Sequence, residues 1–236
     1  MTTGFLDRIS TPGGGPYQVY VPRHYTPERR WPVVLFLHGA GEGGDDGLLQ
    51  TEFQLGSAIR RHSDLFEAIA VFPQQRPCCT WRGDDLSMAL NCLEQSRRDY
   101  SIDPARQSLC GVSSGAIGAW ALAARHPQRF ARLLIVSGLV GPAAFVPADG
   151  AVVPPDESDP HHWLAQRLGH LPIWIHHGDA DPLYPVSDAR RTVACLRAHQ
   201  APVRYSELPG FGHNVWDTAF YNEDVLRWLL ESPLPP

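Results

Sequence analysis

Short apolar runs recur along the chain at 17–21, 33–37, 68–72, 108–110, 133–136, 173–176 and 203–207, most of them rich in the β-branched and aromatic residues that suit a pleated surface. Between them, at 48–62, 86–99, 116–125, 187–199 and 222–230, apolar positions return at helical spacing. Strands alternating with amphipathic helices predict an α/β chain with a mainly parallel central sheet flanked by helices on both faces. Ligands of such sheets bind beyond the carboxyl ends of the strands. Three runs end there in glycine or histidine, at Leu37-His38-Gly39, Cys110-Gly111 and His176-His177-Gly178, which marks that rim as the functional one.

The segment 139–171 departs from this rhythm. Pro142, Pro147, Pro154, Pro155, Asp156, Glu157, Asp159 and Pro160 break it up, and no long helix is expected before Trp163. It reads as an irregular proline-rich flap over the site. No internal repeat or interdomain linker is evident, so residues 1–236 are expected to form a single domain.

Composition narrows the partners. Hydrophobic residues at 43% and charged residues at 19% are those of a globular chain. A net charge of -5 and a pI near 6.1 supply no basic field for a phosphate backbone, so nucleic acid is not an expected partner. All 20 cationic side chains are arginine, which removes lysine Schiff-base chemistry. No run approaches the roughly 18 apolar residues of a membrane span, and residues 1–15, with Asp7, Arg8 and a glycine run, lack a signal-peptide core. A soluble, cytoplasmic protein with no membrane partner is the expectation; oligomeric state is not read from the sequence. The five cysteines, Cys78, Cys79, Cys92, Cys110 and Cys195, are odd in number and lack framework spacing, so they read as reduced thiols, with the adjacent Cys78 and Cys79 the pair most open to oxidation.

Gly111-Val112-Ser113-Ser114-Gly115 carries the chemistry. It reads G-x-S-x-G between an apolar strand and an alanine-rich helix, the setting of a nucleophile elbow, where a tight turn lifts the serine hydroxyl off the sheet edge. A serine hydroxyl is a poor nucleophile at neutral pH and needs a base, an orienting carboxylate and oxyanion donors. Asp179 and Asp181 follow one strand, and His213, between Gly212 and Asn214, follows the last. Asp181 is the expected acid, since Pro182 and Pro185 fix its loop while Asp179 is better placed to hold the turn. His213 is the expected base; His38, His176 and His177 read as loop supports. His38-Gly39-Ala40-Gly41 follows the second strand, where a backbone N–H for the oxyanion belongs; the two donors are assigned to Ala40 and Ser114, with Gly41 the rival of Ala40. Activity is expected to fall as acid protonates the base. The pairs His161-His162 and His176-His177 lack the spacing of a metal site, so neither metal nor cofactor is expected.

Together these motifs resemble the α/β-hydrolase superfamily and, within it, the bacterial phospholipase/carboxylesterase or predicted-peptidase group, relatives of polyhydroxybutyrate depolymerases and feruloyl esterases. The resembling stretches are LFLHGAGEGGDDG at 35–47, VFPQ at 71–74, residues 100–131, HHGDADPLYPV at 176–186 and GFGHNVWDTAFYN at 210–222. The resemblance implies Ser113 as nucleophile, Asp181 as acid, His213 as base, an oxyanion loop at Ala40 and no large cap domain. It also implies pocket-wall roles for Trp81 and Trp216. The chain departs from the group at Ser114 and Ala116, where methionine and glycine are common, which alters pocket shape more than a backbone donor. The implied activity is hydrolysis of short- to medium-chain or aromatic carboxylic esters. A serine peptidase of the same fold and a non-catalytic ligand-binding relative are the alternatives. A dienelactone-type hydrolase would carry cysteine where Ser113 stands.

Overall fold

The computed structural model describes residues 2–11, 15–77, 80–142, 146 and 150–232. Cys78, Cys79 and Pro147, singled out above, lie outside these residues.

Strands β1 (Gly4–Ile9), β2 (Pro16–Val21), β3 (Trp31–Leu37), β4 (Ile69–Pro73), β5 (Ile102–Val112), β6 (Arg132–Val136), β7 (Ile173–Gly178) and β8 (Val203–Leu208) build one sheet in the order β1-β2-β4-β3-β5-β6-β7-β8. The strands from β3 onward run parallel, while β1 on β2 and β2 on β4 are antiparallel. The helices are α1 (Gln54–Arg61), α2 (Gly83–Asp99), α3 (Ser114–Arg125), α4 (Pro160–Leu168), α5 (Val186–Ala198), α6 (Trp216–Phe220) and α7 (Glu223–Leu230).

The two-residue period of a strand splits the core into two layers. Val33, Leu35 and Leu37 of β3, with Ile69 and Val71 of β4 and Leu133 and Ile135 of β6, face α2, α3, α4 and α5. Their neighbours Val34, Phe36, Ala70, Phe72, Leu134 and Val136 face α1, α6 and α7. Because both faces are covered, β3 and β4 are apolar at every position, and all seven residues of β3 are buried. This is an α/β-hydrolase fold, with no cap domain among the described residues.

Three features differ from the sequence reading. β1 was absent from it: GFLDRI is half exposed and carries Asp7 and Arg8, as an edge strand does. β5 begins six residues before 108, through a polar stretch containing Pro104 that the apolar criterion passes over. The irregular segment 139–171 contains α4, which starts at Pro160 rather than at Trp163. Asp159 caps it by accepting from the His162 N–H at 3.2 Å, and Pro160 sits in the first turn where its missing N–H costs nothing. Among the described residues no helix is long and apolar enough to cross a membrane.

The strand order reverses between β3 and β5, the neighbours from which the chain moves outward in both directions. The crevice at such a switch point lies between the loops after those two strands, here the loops that carry Ala40 and Ser113.

Candidate active site

Ser113 occupies the turn between β5 and α3 with φ 54° and ψ -121°, a left-handed conformation that a non-glycine residue holds only under strain from its surroundings. Glycine is required on both sides. A Cβ on Gly115 would overlap the carbonyl oxygens of Leu37 and His38, and one on Gly111 would overlap the Gly115 carbonyl. Only a side-chain-free backbone lets the start of α3 close down on β3 and β5. The Ser113 N–H donates to Val136 O at 2.9 Å, tying the turn to β6.

The loops after β7 and β8 bring the other two predicted residues to this hydroxyl. Ser113 Oγ lies 2.8 Å from His213 Nε2, and His213 Nδ1 lies 2.7 Å from Asp181 Oδ2. A carboxylate only accepts, so Nδ1 carries the proton and donates to Asp181, leaving Nε2 to accept from Ser113. Asp181 has no side-chain exposure. Its Oδ1 accepts the N–H groups of Leu183 at 2.8 Å and Tyr184 at 3.0 Å, which fixes the carboxylate plane. Asp179 turns away from the imidazole and accepts the Gly210 N–H at 2.7 Å, bracing the loop that carries the histidine.

Sequence reasoning missed two residues that hold this arrangement. Ser137, after β6 and itself at φ 51°, donates its hydroxyl to His213 O at 2.7 Å. Tyr184 lays its ring perpendicular to the imidazole, with centroids 4.8 Å apart and planes at 81°, and its N–H donates to Asp181 Oδ1 at 3.0 Å. Neither residue belongs to a short motif, and only the meeting of distant loops reveals it.

The loop after β3 begins with a 3-10 turn, Ala40–Glu42, and lies against the nucleophile: a Cβ on Gly39 would stand 3.6 Å from Ser113 Cβ. Ala40 N–H opens that turn and Ser114 N–H opens α3, positions where helical geometry supplies no internal partner and the α3 dipole adds positive potential. Glu42 accepts from Gln54 Nε2 at 3.3 Å, and burial raises its carboxyl above the usual range. Trp81 requires a correction. It is 1% exposed, so it presents no wall to a substrate; its indole N–H donates to His38 O at 2.9 Å and braces the loop from within the core. Trp216 is half-buried beside the site, its ring 5.9 Å from that of His213 and nearly perpendicular to it. A cavity of about 540 Å³ opens between α3 and the 139–171 segment, lined by Ile117, Val140, Pro142, Val152, Pro154 and His161 among others. Ile117 lies one helical turn beyond Ser113, its N–H bonded to Ser113 O at 3.2 Å.

Three histidines at strand ends act as supports. His38 is fully buried; its Nε2 accepts from the Gln75 N–H at 3.0 Å and its Nδ1 donates to Gly39 O at 2.6 Å. His176 packs on Trp174 with centroids 5.2 Å apart. His177 donates from Nε2 to Tyr184 O at 2.9 Å. Burial pushes His38 and His176 down to about 4 from 6.5. Between those two values the unfolded chain binds protons at both positions that the folded chain excludes, so stability rises with pH through that window and is lost on acidification. Each histidine contributes about 3 kcal/mol to the loss when the window is crossed completely. Thermal unfolding followed from pH 7 to pH 4 should show a steep fall in Tm, and His176→Gln should make that fall shallower. A Tm that stays level over the range would contradict the burial argument.

Residues 90–218 match a family model described as "Putative esterase". A "Putative esterase NocK" of Nocardia uniformis subsp. tsuyamanensis is 28% identical over 164 residues, covering 67% of this chain and 42% of that protein. An "Uncharacterized secreted protein" of Arthroderma benhamiae is 25% identical over 219 residues, covering 83% of this chain and 22% of its own length. Among solved structures, a thermostable esterase is similar over 97% of this chain and 63% of that one, with 27% identity and a TM-score of 0.80. The chain therefore spans less than two thirds of each of these relatives. The matched model runs from the middle of α2 to α6, through the nucleophile turn and both loops that face it, and covers more than half of the chain, which belongs to this esterase family.

Proposed function

We propose that this chain is a serine carboxylesterase that hydrolyses short- to medium-chain or aromatic carboxylic esters through an acyl-enzyme. The observation that carries the reading is the unbroken series of hydrogen bonds from Ser113 Oγ through His213 to the Asp181 carboxylate. Ser113 attacks the ester carbonyl while His213 Nε2 takes its proton, and Asp181 stabilises the imidazolium that forms. The N–H groups of Ala40 and Ser114 receive the developing oxyanion, in a crevice where donors set in advance need no reorganisation. His213 then returns the proton to the departing alkoxide. Water repeats the cycle on the acyl-enzyme and releases the acid.

The cavity whose lining includes Ile117, one helical turn past Ser113, supports the acyl class. Its valine, isoleucine and proline side chains suit an apolar acyl group, with Glu157, His161 and Arg191 also in the lining, and about 540 Å³ is room for a medium chain or one aromatic ring rather than a long lipid tail. A fluorophosphonate probe should label Ser113 alone, located by peptide mass. Nitrophenyl esters from acetate to octanoate should be hydrolysed much faster than the matching anilides, whose amine leaving groups need firmer protonation. Labelling elsewhere, or anilides cleaved as fast as esters, would overturn the carboxylesterase reading.

A further inference from the structure

His177 of β7 is buried against the Asp181 carboxylate, and the mechanism above gives it no task. Its Nε2 is 2.9 Å from Tyr184 O and 3.4 Å from Asp181 Oδ2, the oxygen that meets His213 Nδ1 at 2.7 Å. Neither the His177 nor the Asp181 side chain has any exposure. Both oxygens near Nε2 can only accept, so the ring carries its proton on that nitrogen and donates it to the Tyr184 carbonyl. Nδ1 is buried with no partner among the described residues, and a second proton placed there would find no acceptor. Asp181 Oδ2 therefore sits between two imidazoles, hydrogen-bonded to His213 and close to the N–H of His177. Tyr184 is gripped at both its backbone groups, since its carbonyl accepts from His177 and its N–H donates to Asp181 Oδ1 at 3.0 Å.

We infer that His177 is a positioning residue for the base: through Tyr184 and Asp181 it fixes the carboxylate and moderates its pull on the His213 imidazole. The inference rests on the serine-esterase reading. The first half of the role is mechanical. The bond from His177 to Tyr184 O ties the Asp181–Tyr184 turn to β7, and that turn supplies both N–H groups that hold Oδ1. The second half is electrostatic. The N–H of His177 turns its positive end toward oxygens in a space without water, and Oδ2 at 3.4 Å shares that field. With the donor removed, the charge on Oδ2 is less offset, so the carboxylate favours the imidazolium form of His213 more strongly and the base is lost to protonation at a higher pH. The other titratable groups on the elements that meet here are His38 and Glu42 after β3, His176 of β7, Asp179 on the Gly210 N–H, Glu207 of β8 paired with Arg190 of α5, and the exposed Asp217 of α6. Replacing His177 leaves all of these in place.

Two variants separate the donor from the bulk of the ring. His177→Leu fills the space and donates nothing, whereas His177→Gln carries an amide N–H that reaches about as far as Nε2. The profile of kcat/KM against pH, measured with nitrophenyl acetate from about pH 5.5 to about pH 9, has an acid limb that reports the free base. In the leucine variant the midpoint of that limb should rise by about 0.5–1 pH unit, the shift that corresponds to one hydrogen bond. Its plateau should fall about 10-fold, carried by kcat with KM within about 2-fold of wild type. The glutamine variant should bring both the midpoint and the plateau back toward wild type. A lowered plateau with an unmoved midpoint is the mark of a structural prop and would overturn the proposal, as would a midpoint that moves down or a glutamine variant that behaves like the leucine one. Should leucine prevent folding, nitrogen-15 NMR of the histidines in the wild-type protein decides. His177 should keep its proton on Nε2 while His213 titrates, and a proton on Nδ1 instead would end the argument. If the wild-type protein hydrolyses no ester and Ser113 takes no fluorophosphonate, the serine-esterase reading falls and the role of His177 with it. An active wild type whose profile both variants leave unchanged removes His177 alone.

Discussion

Ser113→Ala is expected to lower kcat for nitrophenyl acetate by on the order of 10⁵-fold or more, with the folded structure intact. On the proposed mechanism the substitution deletes the atom that forms the acyl bond, and no neighbouring hydroxyl is placed to replace it. Tyr184 is held edge-on to the imidazole, and the Ser114 hydroxyl is buried with no partner among the described residues. What survives is the rate enhancement that the oxyanion donors and substrate binding give to direct attack by water. Alanine keeps the Ser113 N–H that donates to Val136 O, so Tm should move by no more than about 5 °C. Turnover within about 10-fold of wild type, measured on protein freed of contaminating esterase, would remove Ser113 from the mechanism.

Asp181→Asn is expected to cost on the order of 10⁴-fold in kcat with little change in KM. The geometry determines how the amide must sit. The position of Oδ1 accepts two backbone N–H groups, from Leu183 and Tyr184, so the amide oxygen stays there and the NH₂ replaces Oδ2. That NH₂ faces His213 Nδ1, 2.7 Å away from the oxygen it replaces, and forces the ring to accept at Nδ1 and carry its proton on Nε2. An Nε2–H cannot take the Ser113 proton. Asp179→Asn is the matched control, since that carboxylate meets the Gly210 N–H rather than the imidazole, and its kcat should stay within about 10-fold of wild type. Equal losses in the two variants would show that the loop as a whole matters and not the carboxylate on His213.

What could be read from the chain follows the range of the forces involved. The central strands declared themselves because burial on both faces makes 33–37 and 133–136 apolar throughout, and the elbow did so because a serine between two glycines is a local pattern. β1 escaped notice because an edge strand keeps polar residues, and α6, five residues long, is too short to show a period. The start of α4 was legible in Asp159-Pro160 but was outweighed by the prolines around it. Asp181 lies 2.7 Å from His213 Nδ1 in a loop that Pro182 and Pro185 constrain, while Asp179 meets the Gly210 N–H. Ser137 and Tyr184 could not be found in advance, since each acts on a residue brought from another loop. Trp81 was misplaced for the same reason: its position beneath the His38 carbonyl depends on how α3 packs over β3.

The bare backbone contact at Gly115 bears on how this protein can diversify. Any side chain there collides with Leu37 and His38 whatever ester is being processed, so that position is closed to adaptive change. On the proposed reading, altered acyl preference is expected to arise around the cavity lined by Val140, Pro142, Val152 and Pro154, where replacements leave the elbow in place. A mutant library selected on a bulkier acid should accumulate its changes there and retain glycine at 115 in every survivor.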